Sequence, residues 1–424
     1  MNVLIAKIGF VLLATLSCLV VGHYRNHLER LSPSQTNRLL TLVFVLCRIV
    51  PFVVIYGLFA QQPRSDVPVF YDAASHALSG DVVYRDFWSP YSPLFSYLIS
   101  VPLLLWHDAR MLTLLMIVME GLTWWLTYRH YRRQGGGALN PVFAAVLYML
   151  LPAPFIFSVL GGQEDSWMWF FGVLSLYLWQ RRPDPLYVGM WWALALLATK
   201  ALTLFVVLGL LVWMARPWRF LLGLLLIGVP SLMLTIALTG KGVLAPLVIG
   251  SMRFAPNGWT VMAPMVGDIM AHTGVVSAVG LALLLAVSGL GGWWFRWSGA
   301  TYPQALPGLW VLIYGALMLV HKSSFGNYVF IYALPLVFSL VDWQKRRDRL
   351  MLLLLSATSA VHPTLWWTMN QPIYTNWRQL QTPANIAEYA LGLLMLVSAG
   401  HFAYKAYRQT VKRQPLQRRV EVTY

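Results

Sequence analysis

Long apolar runs, recurring almost from end to end, are the feature that most restricts what this chain can become. They fall at residues 3–22, 39–59, 110–128, 141–159, 166–180, 220–238, 275–290, 305–320, 329–342, 350–366 and 385–403. A membrane-crossing helix takes roughly 17 to 25 predominantly apolar residues, so these runs, some of them short, read as spans. Composition agrees: 58% of the residues are hydrophobic and 11% charged, against about 25% charged in a soluble domain. That balance excludes both a water-soluble globule and a disordered chain. The expected fold is all-α, a polytopic integral membrane protein forming one domain over residues 1–424.

The net charge of +16 would suggest nucleic acid in a soluble protein. Here it marks sidedness instead, because inner loops collect Lys and Arg, and no nucleic-acid partner is expected. Basic loops at 181–185 and 215–219 bracket one apolar stretch. Both can be cytoplasmic only if the chain crosses twice or dips in and returns. Leu186 to Thr199 and Ala201 to Met214 therefore read as two short helices with Lys200 at the apex. Pro93 to Trp106 is too short to span comfortably and reads as an interfacial or re-entrant helix. With the amino terminus outside, 21 of the 31 Lys and Arg fall inside, including the basic tail at 404–424, and eight fall outside. The pattern predicts about thirteen transmembrane helices, some of them broken or re-entrant, and a cytoplasmic carboxyl terminus. Lys7 interrupts the first apolar run and no small-x-small cleavage site follows, so residues 1–22 read as a retained helix. Cys18 and Cys47 both lie in apolar runs and imply no disulfide framework.

The acids are distributed otherwise. Five of the 15, namely Asp66, Asp72, Asp81, Asp86 and Asp108, fall within the first outer loop at 61–108, and Glu164, Asp165 and Asp268 are also outside. Acids contribute little to topology, so insertion does not require this clustering. Asp66 precedes Val67-Pro68 and a run ending at Ser79-Gly80, which predicts a helix with juxtamembrane placement and Asp66 as its N-cap. Cap and catalyst are equally supported by the local sequence, and one carboxylate can serve as both. Asp72 projects about 240° round from Asp66 and faces water. Asp81 shapes a turn, and for Asp86 an ion pair with Arg85 is the plainer reading.

Asp66, the helix with Tyr71 and Ala73-Ala74, Gly80, Tyr84-Arg85-Asp86 and Tyr91-Ser92-Pro93-Leu94 follow one another in an order that resembles the first outer loop of C-type membrane glycosyltransferases. The likeness is greatest to the polyprenyl-phosphate-mannose-dependent mannosyltransferases and their bacterial relatives. Gly162-Gln163-Glu164-Asp165 is similar to the Gly-Gln-x-Asp turn of that family, Lys200 to the lysine of its following hairpin, and Lys322, Phe325 and Tyr328 to a late outer-loop pattern. Two departures stand out: there is no Asp-x-Asp pair beginning at Asp66, and Ser89 occupies a place where relatives often carry an acid. The resemblance implies a polyprenyl-phosphate donor of a hexosyl or pentosyl group, an inverting transfer to a glycan, lipid or protein acceptor, and Asp66 as general base. It also implies a bacterial inner membrane, with the site facing the cell envelope. No cofactor is called for, and a divalent cation stays open.

A phosphate leaving group needs little protonation if a cation meets it. Candidates are Lys200, Arg253, Lys322 and Arg378, with His321 as a hydrogen-bond donor. For each except Lys200, contact with lipid headgroups is the plainer reading. Lys200 has no polar loop around it and so calls for a specific anionic partner. Gln163, Glu164 and Asp165 suit a sugar's hydroxyls and equally suit a helix N-terminus.

Within the spans, Arg48 and Glu120 each lie nine residues from an inner end, hence both about 14 Å deep. An unpaired charge there costs about 2.5 to 3.5 kcal/mol, which predicts a structural ion pair. Lys7 can snorkel, and His362 and Cys47 read as core. Three other functions stay open. A secondary transporter or flippase of a lipid-linked or sugar substrate would want ionisable groups along a path, and the spans offer only Lys7, Arg48 and Glu120. An oligosaccharide ligase or polymerase would use the second outer loop at 239–274, with Lys241 and Arg253. A non-catalytic lipid-binding scaffold is the third.

Overall fold

The structure, a computed structural model, describes residues 2–244 and 254–412. Arg253, the centre of the 239–274 loop and the tail beyond Lys412 lie outside the described residues. Among those described, the chain is all-helical, with one isolated bridge between Val83 and Phe87 in place of any strand.

Among the described residues, eight helices are long and apolar enough to cross a membrane: Val3–His23, Pro33–Leu58, Ala109–Arg133, Pro217–Leu244, Thr273–Trp297, Tyr302–Val320, Arg346–Thr368 and Pro383–Gln409. A ninth is added if Pro141–Leu150 and Pro152–Leu160, bent by 58°, count as one broken span. These are the helices of a multi-pass membrane protein. The other apolar segments are shorter: Pro93–Leu104, Ser166–Arg181, Pro185–Ala198, Thr203–Trp213 and Gly326–Ser339. The apolar runs of the sequence thus become helices of two lengths.

Proline and small polar residues punctuate the chain. Pro33, Pro93, Pro141, Pro152, Pro185 and Pro217 each stand in the first turn of a helix, where a missing N–H costs nothing. Ser32, Asn140 and Asp184 accept backbone N–H groups as caps. At the bend after Leu151, the freed amide of Ala153 donates to Ser356 Oγ at 3.0 Å, so a neighbouring helix satisfies the break.

Tyr302–Val320 is the central helix, with 78% of its span window buried, whereas Pro217–Leu244 is peripheral at 6%. The two short helices around Lys200 could not hold their place alone, and glycine supplies the purchase. A Cβ on Gly189 would lie 2.1 Å from the Phe220 carbonyl oxygen, and one on Gly223 2.0 Å from that of Leu186, so Pro185–Ala198 and Pro217–Thr239 touch backbone to backbone. Gly292 likewise meets Gly209, locking Thr203–Trp213 to Thr273–Trp297. In lipid, where apolar burial gives no preference for helix over tail, such close contact is what holds helices together.

Arg48 and Glu120 are both fully buried and form a two-pronged pair, Nε to Oε2 at 2.7 Å and Nη2 to Oε1 at 2.8 Å. Tyr148 donates to Glu120 Oε1 at 3.1 Å, and Arg48 Nη1 donates to the Met149 carbonyl at 3.3 Å. Lys7 donates to Thr364 Oγ1 at 2.6 Å. The count of ionisable groups within the spans needs correction: Glu388, inside the 385–403 run, is buried and its Oε1 lies 2.9 Å from His362 Nε2. His362 is therefore a hydrogen-bond partner of a buried carboxyl as well as a core residue.

Replacing Glu120 with Ala leaves the Arg48 guanidinium buried without its carboxylate, at an expected cost of about 3 to 5 kcal/mol. The paired change Arg48→Met with Glu120→Leu is expected to restore most of it. Unfolding of the detergent-solubilised protein measures both, and an unaltered midpoint for Glu120→Ala would contradict the assignment.

Candidate functional site

The site is assembled from four turns. Ser65 adopts a left-handed conformation, φ 61°, immediately before the helix Val67–Leu78. Asp66 stands at the N-cap position, yet its side chain makes no cap bond. Its Oδ2 instead accepts from Gln163 Nε2 at 3.0 Å, and the same nitrogen donates to Ser65 Oγ at 3.1 Å. Val67 and Phe70 anchor the helix, Phe70 lying edge-on to Tyr91 and Phe95.

Gly162 explains why the second turn can reach Asp66. Its φ is +55°, and a Cβ there would come within 2.3 Å of Val67 Cγ2. Only glycine permits both the backbone and the approach. The turn then presents Gln163, Glu164 and Asp165 in sequence, and Ser166–Arg181 follows. Asn327, in the short turn Gly326–Tyr328, donates through Nδ2 to Gln163 Oε1 at 2.7 Å and to Asp165 Oδ2 at 2.9 Å. Because Gln163 accepts on its oxygen, its amide nitrogen is aimed at Asp66.

Lys200 comes from the fourth turn, between Pro185–Ala198 and Thr203–Trp213. The two legs are joined by Thr199 Oγ1 and Thr203 Oγ1, 2.9 Å apart. Lys200 Nζ lies 2.5 Å from Asp165 Oδ1 and 2.7 Å from Glu164 Oε1. Its ammonium also faces the rings of Tyr91 at 5.7 Å and Tyr328 at 5.1 Å.

Two carboxylates therefore meet one ammonium, and a third, Asp66, is joined to them through Gln163. Glu164 and Asp165 are buried, while Asp66 is half-buried. Burial pushes the Glu164 carboxyl up to about 7, Lys200 opposing and Asp165 and Asp66 reinforcing the shift. Burial raises Asp165 too, against the pull of Lys200. For Lys200, burial works against the charge, and Asp165 and Glu164 outweigh it, holding the ammonium well above its usual range. Glu164 Oε2 and Ser166 Oγ are buried without a hydrogen-bond partner in the chain, leaving an acceptor and a hydroxyl for a polar ligand. Among the described residues no group of three His, Cys, Asp or Glu is placed to hold a metal ion. Between Glu164 and Asp165 the Lys200 ammonium already supplies the positive charge.

The helices leaving this cluster end at basic residues. Ser166–Arg181 finishes at Arg181, Thr203–Trp213 leads to Arg216, and Val329–Ser339 leads to Lys345 and Arg346. The cluster and the basic loops thus occupy opposite ends of the bundle.

Other sequence candidates lie elsewhere. Asp86 accepts from Arg85 at 2.9 and 2.7 Å and from the Val82 amide at 2.7 Å, a surface arrangement that stays local. Tyr84 reaches the cluster only indirectly, through a hydrogen bond to the Tyr91 carbonyl. His321 and Lys322 serve through their backbone carbonyls, which accept from Asn257 Nδ2 at 2.7 Å each. The Lys322 ammonium sits 5.9 Å from the Phe254 ring centroid. Arg378 is exposed. Asp72 is exposed, and Asp81 bonds His76 Nδ1 at 2.7 Å. Asn327, Tyr91 and Ser65 were not singled out as site residues. Asn327 stands within the late loop pattern between Phe325 and Tyr328, and nothing in its own spacing marks it.

A carboxyl that holds its proton more tightly folded than unfolded makes stability fall as pH rises through the interval between the two values. Between the ordinary carboxylate range and about 7, the Glu164 value, the thermal midpoint of the wild type is expected to decline with pH. Glu164→Gln is expected to flatten that decline; an equal slope in both proteins would contradict the assignment.

The chain matches no protein-family model and no curated protein, so its function is read from this geometry.

Proposed function

We propose that this chain is an integral-membrane glycosyltransferase that moves a sugar from a polyprenyl-phosphate donor to an acceptor hydroxyl at the outer face of the membrane, with inversion. The observation that carries the reading is the convergence of Asp66 and Lys200 through Gln163, Asn327 and Asp165. It joins a reachable carboxylate and a buried ammonium in one cluster, at the end of the bundle away from the basic loops.

Asp66 is the half-buried member of the three acids and the one not in contact with Lys200. It is placed to take the proton of an acceptor hydroxyl. The freed oxygen attacks the anomeric carbon opposite the phosphate, the carbon–oxygen bond to phosphate breaks, and its electron pair leaves on the phosphate oxygen. Lys200 meets that developing charge, so no acid need protonate the leaving group. Gln163 holds the base in position and Asn327 holds Gln163.

An apolar cavity of about 150 Å³ is lined by Val83, Leu94, Tyr97, Leu197, Leu234 and Leu238. It borders the peripheral helix Pro217–Thr239, whose Leu225, Leu226, Leu232 and Met233 are exposed, and Leu197 is three residues from Lys200. A lipid chain lying there would bring its phosphate to the lysine. We place the amino terminus and the site outside and the tail in the cytoplasm of a bacterial inner membrane. Thirteen crossings follow if the short helices each traverse a thinned part of the bundle.

Asp66→Asn keeps the shape and the Gln163 contact while removing the base. With a purified lipid-linked sugar it is expected to lower turnover by at least about 10², leaving the folded, extractable protein unchanged. Normal turnover in the variant would overturn the assignment of the base. Flux of substrate into sealed vesicles without covalent product would replace the enzyme with a transporter.

A further inference from the structure

The cluster's charges do not balance. Above the Glu164 value of about 7, Asp66, Glu164 and Asp165 bring three negative charges, and Lys200 cancels one. A phosphate arriving at Lys200 would add a further negative charge to a buried site that already carries a surplus of two, and in a medium of low dielectric that repulsion is large. Something must leave or be neutralised, and the geometry distinguishes the three acids. Asp66 accepts from Gln163 and is open enough to stay solvated. Asp165 keeps the Asn327 amide when Lys200 is drawn away, at 2.9 Å from Oδ2. Glu164 has only Lys200: its Oε1 is 2.7 Å from the ammonium and its Oε2 has no hydrogen-bond partner. If Lys200 turns toward a phosphate, Glu164 is left as a buried, unsolvated carboxylate with nothing to hold its charge.

Given a phosphate-linked donor at Lys200, we infer that Glu164 is a second proton-handling residue of the site, taking up one proton from solvent each time Lys200 transfers from it to a bound phosphate. The Lys200–Glu164 ion pair opens, an ammonium–phosphate pair forms, and Glu164 becomes a neutral carboxylic acid. The net charge of the site with a singly charged phosphate is then the same as before. The titratable and charged groups facing Glu164 are Lys200 from the hairpin, Asp165 beside it, Asp66 from the first outer loop, and the phenols of Tyr91 and Tyr328. The two tyrosines stay neutral near pH 7, since burial drives both phenols above their ordinary value. Burial has already brought Glu164 to about 7, so its protonation is within easy reach. The neutral acid is also a hydrogen-bond donor, available to a phosphate oxygen or to the sugar.

Proton uptake is read by titration calorimetry of the full-length protein in detergent, using two buffers of different ionisation enthalpy. The probe is farnesyl methyl phosphate, a diester whose single charge does not change between about pH 6 and 9. Wild-type protein is expected to bind it with uptake approaching one proton above the Glu164 value of about 7, and with Kd rising about tenfold per pH unit there. Glu164→Gln is expected to bind with no uptake and a pH-independent Kd. Wild-type binding without proton uptake would overturn the inference and leave the donor reading standing. Binding that needs a divalent cation and takes up no proton would assign the neutralising charge to the metal instead, also against it. Uptake that persists in Glu164→Gln would move the proton to another group. No binding at any pH would overturn the donor reading itself, and the inference with it.

Discussion

Charge removed from water has to be met by charge, and two such meetings organise this protein. Arg48 and Glu120 close on each other inside the bundle, fully buried and two-pronged. Lys200 closes on Glu164 and Asp165 at one end of it. The first pair ties the helices that flank the acidic segment 61–108, Pro33–Leu58 and Ala109–Arg133. The second ties the turn after Pro152–Leu160 to the apex of the following hairpin. Without the second, an ammonium would be stranded between two apolar helices of 14 and 11 residues.

Those short helices have a consequence for chemistry. A full span would carry its loop past the bundle's edge into water. The hairpin around Lys200 turns early and is held by glycine contacts on both legs, through Gly189 with Gly223 and Gly209 with Gly292. Its apex lysine is mostly buried and meets acids that are themselves buried. Gln163 to Asp165, after the broken span ending at Leu160, are buried likewise. Irregular backbone within an apolar bundle is tolerated only where side chains and neighbouring elements satisfy it, and here Ser356 accepts from the Ala153 amide and Thr199 donates to the Ala195 carbonyl.

Much of this could be read in advance because membranes impose arithmetic. Two basic loops on the same side of the bilayer require an even number of crossings between them, which put Lys200 at an apex. Equal depth put Arg48 beside Glu120. Other features are invisible to such counting. Asp66 has every local sign of an N-cap, and only the fold shows its carboxylate turned from the helix to Gln163, because Gly162 lets a distant turn sit on Val67. Asn327 joins the cluster across more than 160 positions of sequence, with no spacing rule to announce it. Asp86 and Arg85, adjacent in sequence, satisfy each other at the surface, and a motif containing both cannot tell that from a shared ligand. Span length was the least legible: runs of similar hydropathy become full-length helices in some places and short ones in others.

The central claim is that the cluster at Lys200 receives a phosphate anchored in the membrane by an isoprenoid chain. Native mass spectrometry of the purified protein tests it most directly, by comparing the lipid retained by the wild type with that retained by Lys200→Ala. The account predicts a polyprenyl phosphate or its glycoside on the wild type and its loss from the variant. Bulk phospholipid alone, equally retained by both, would contradict it.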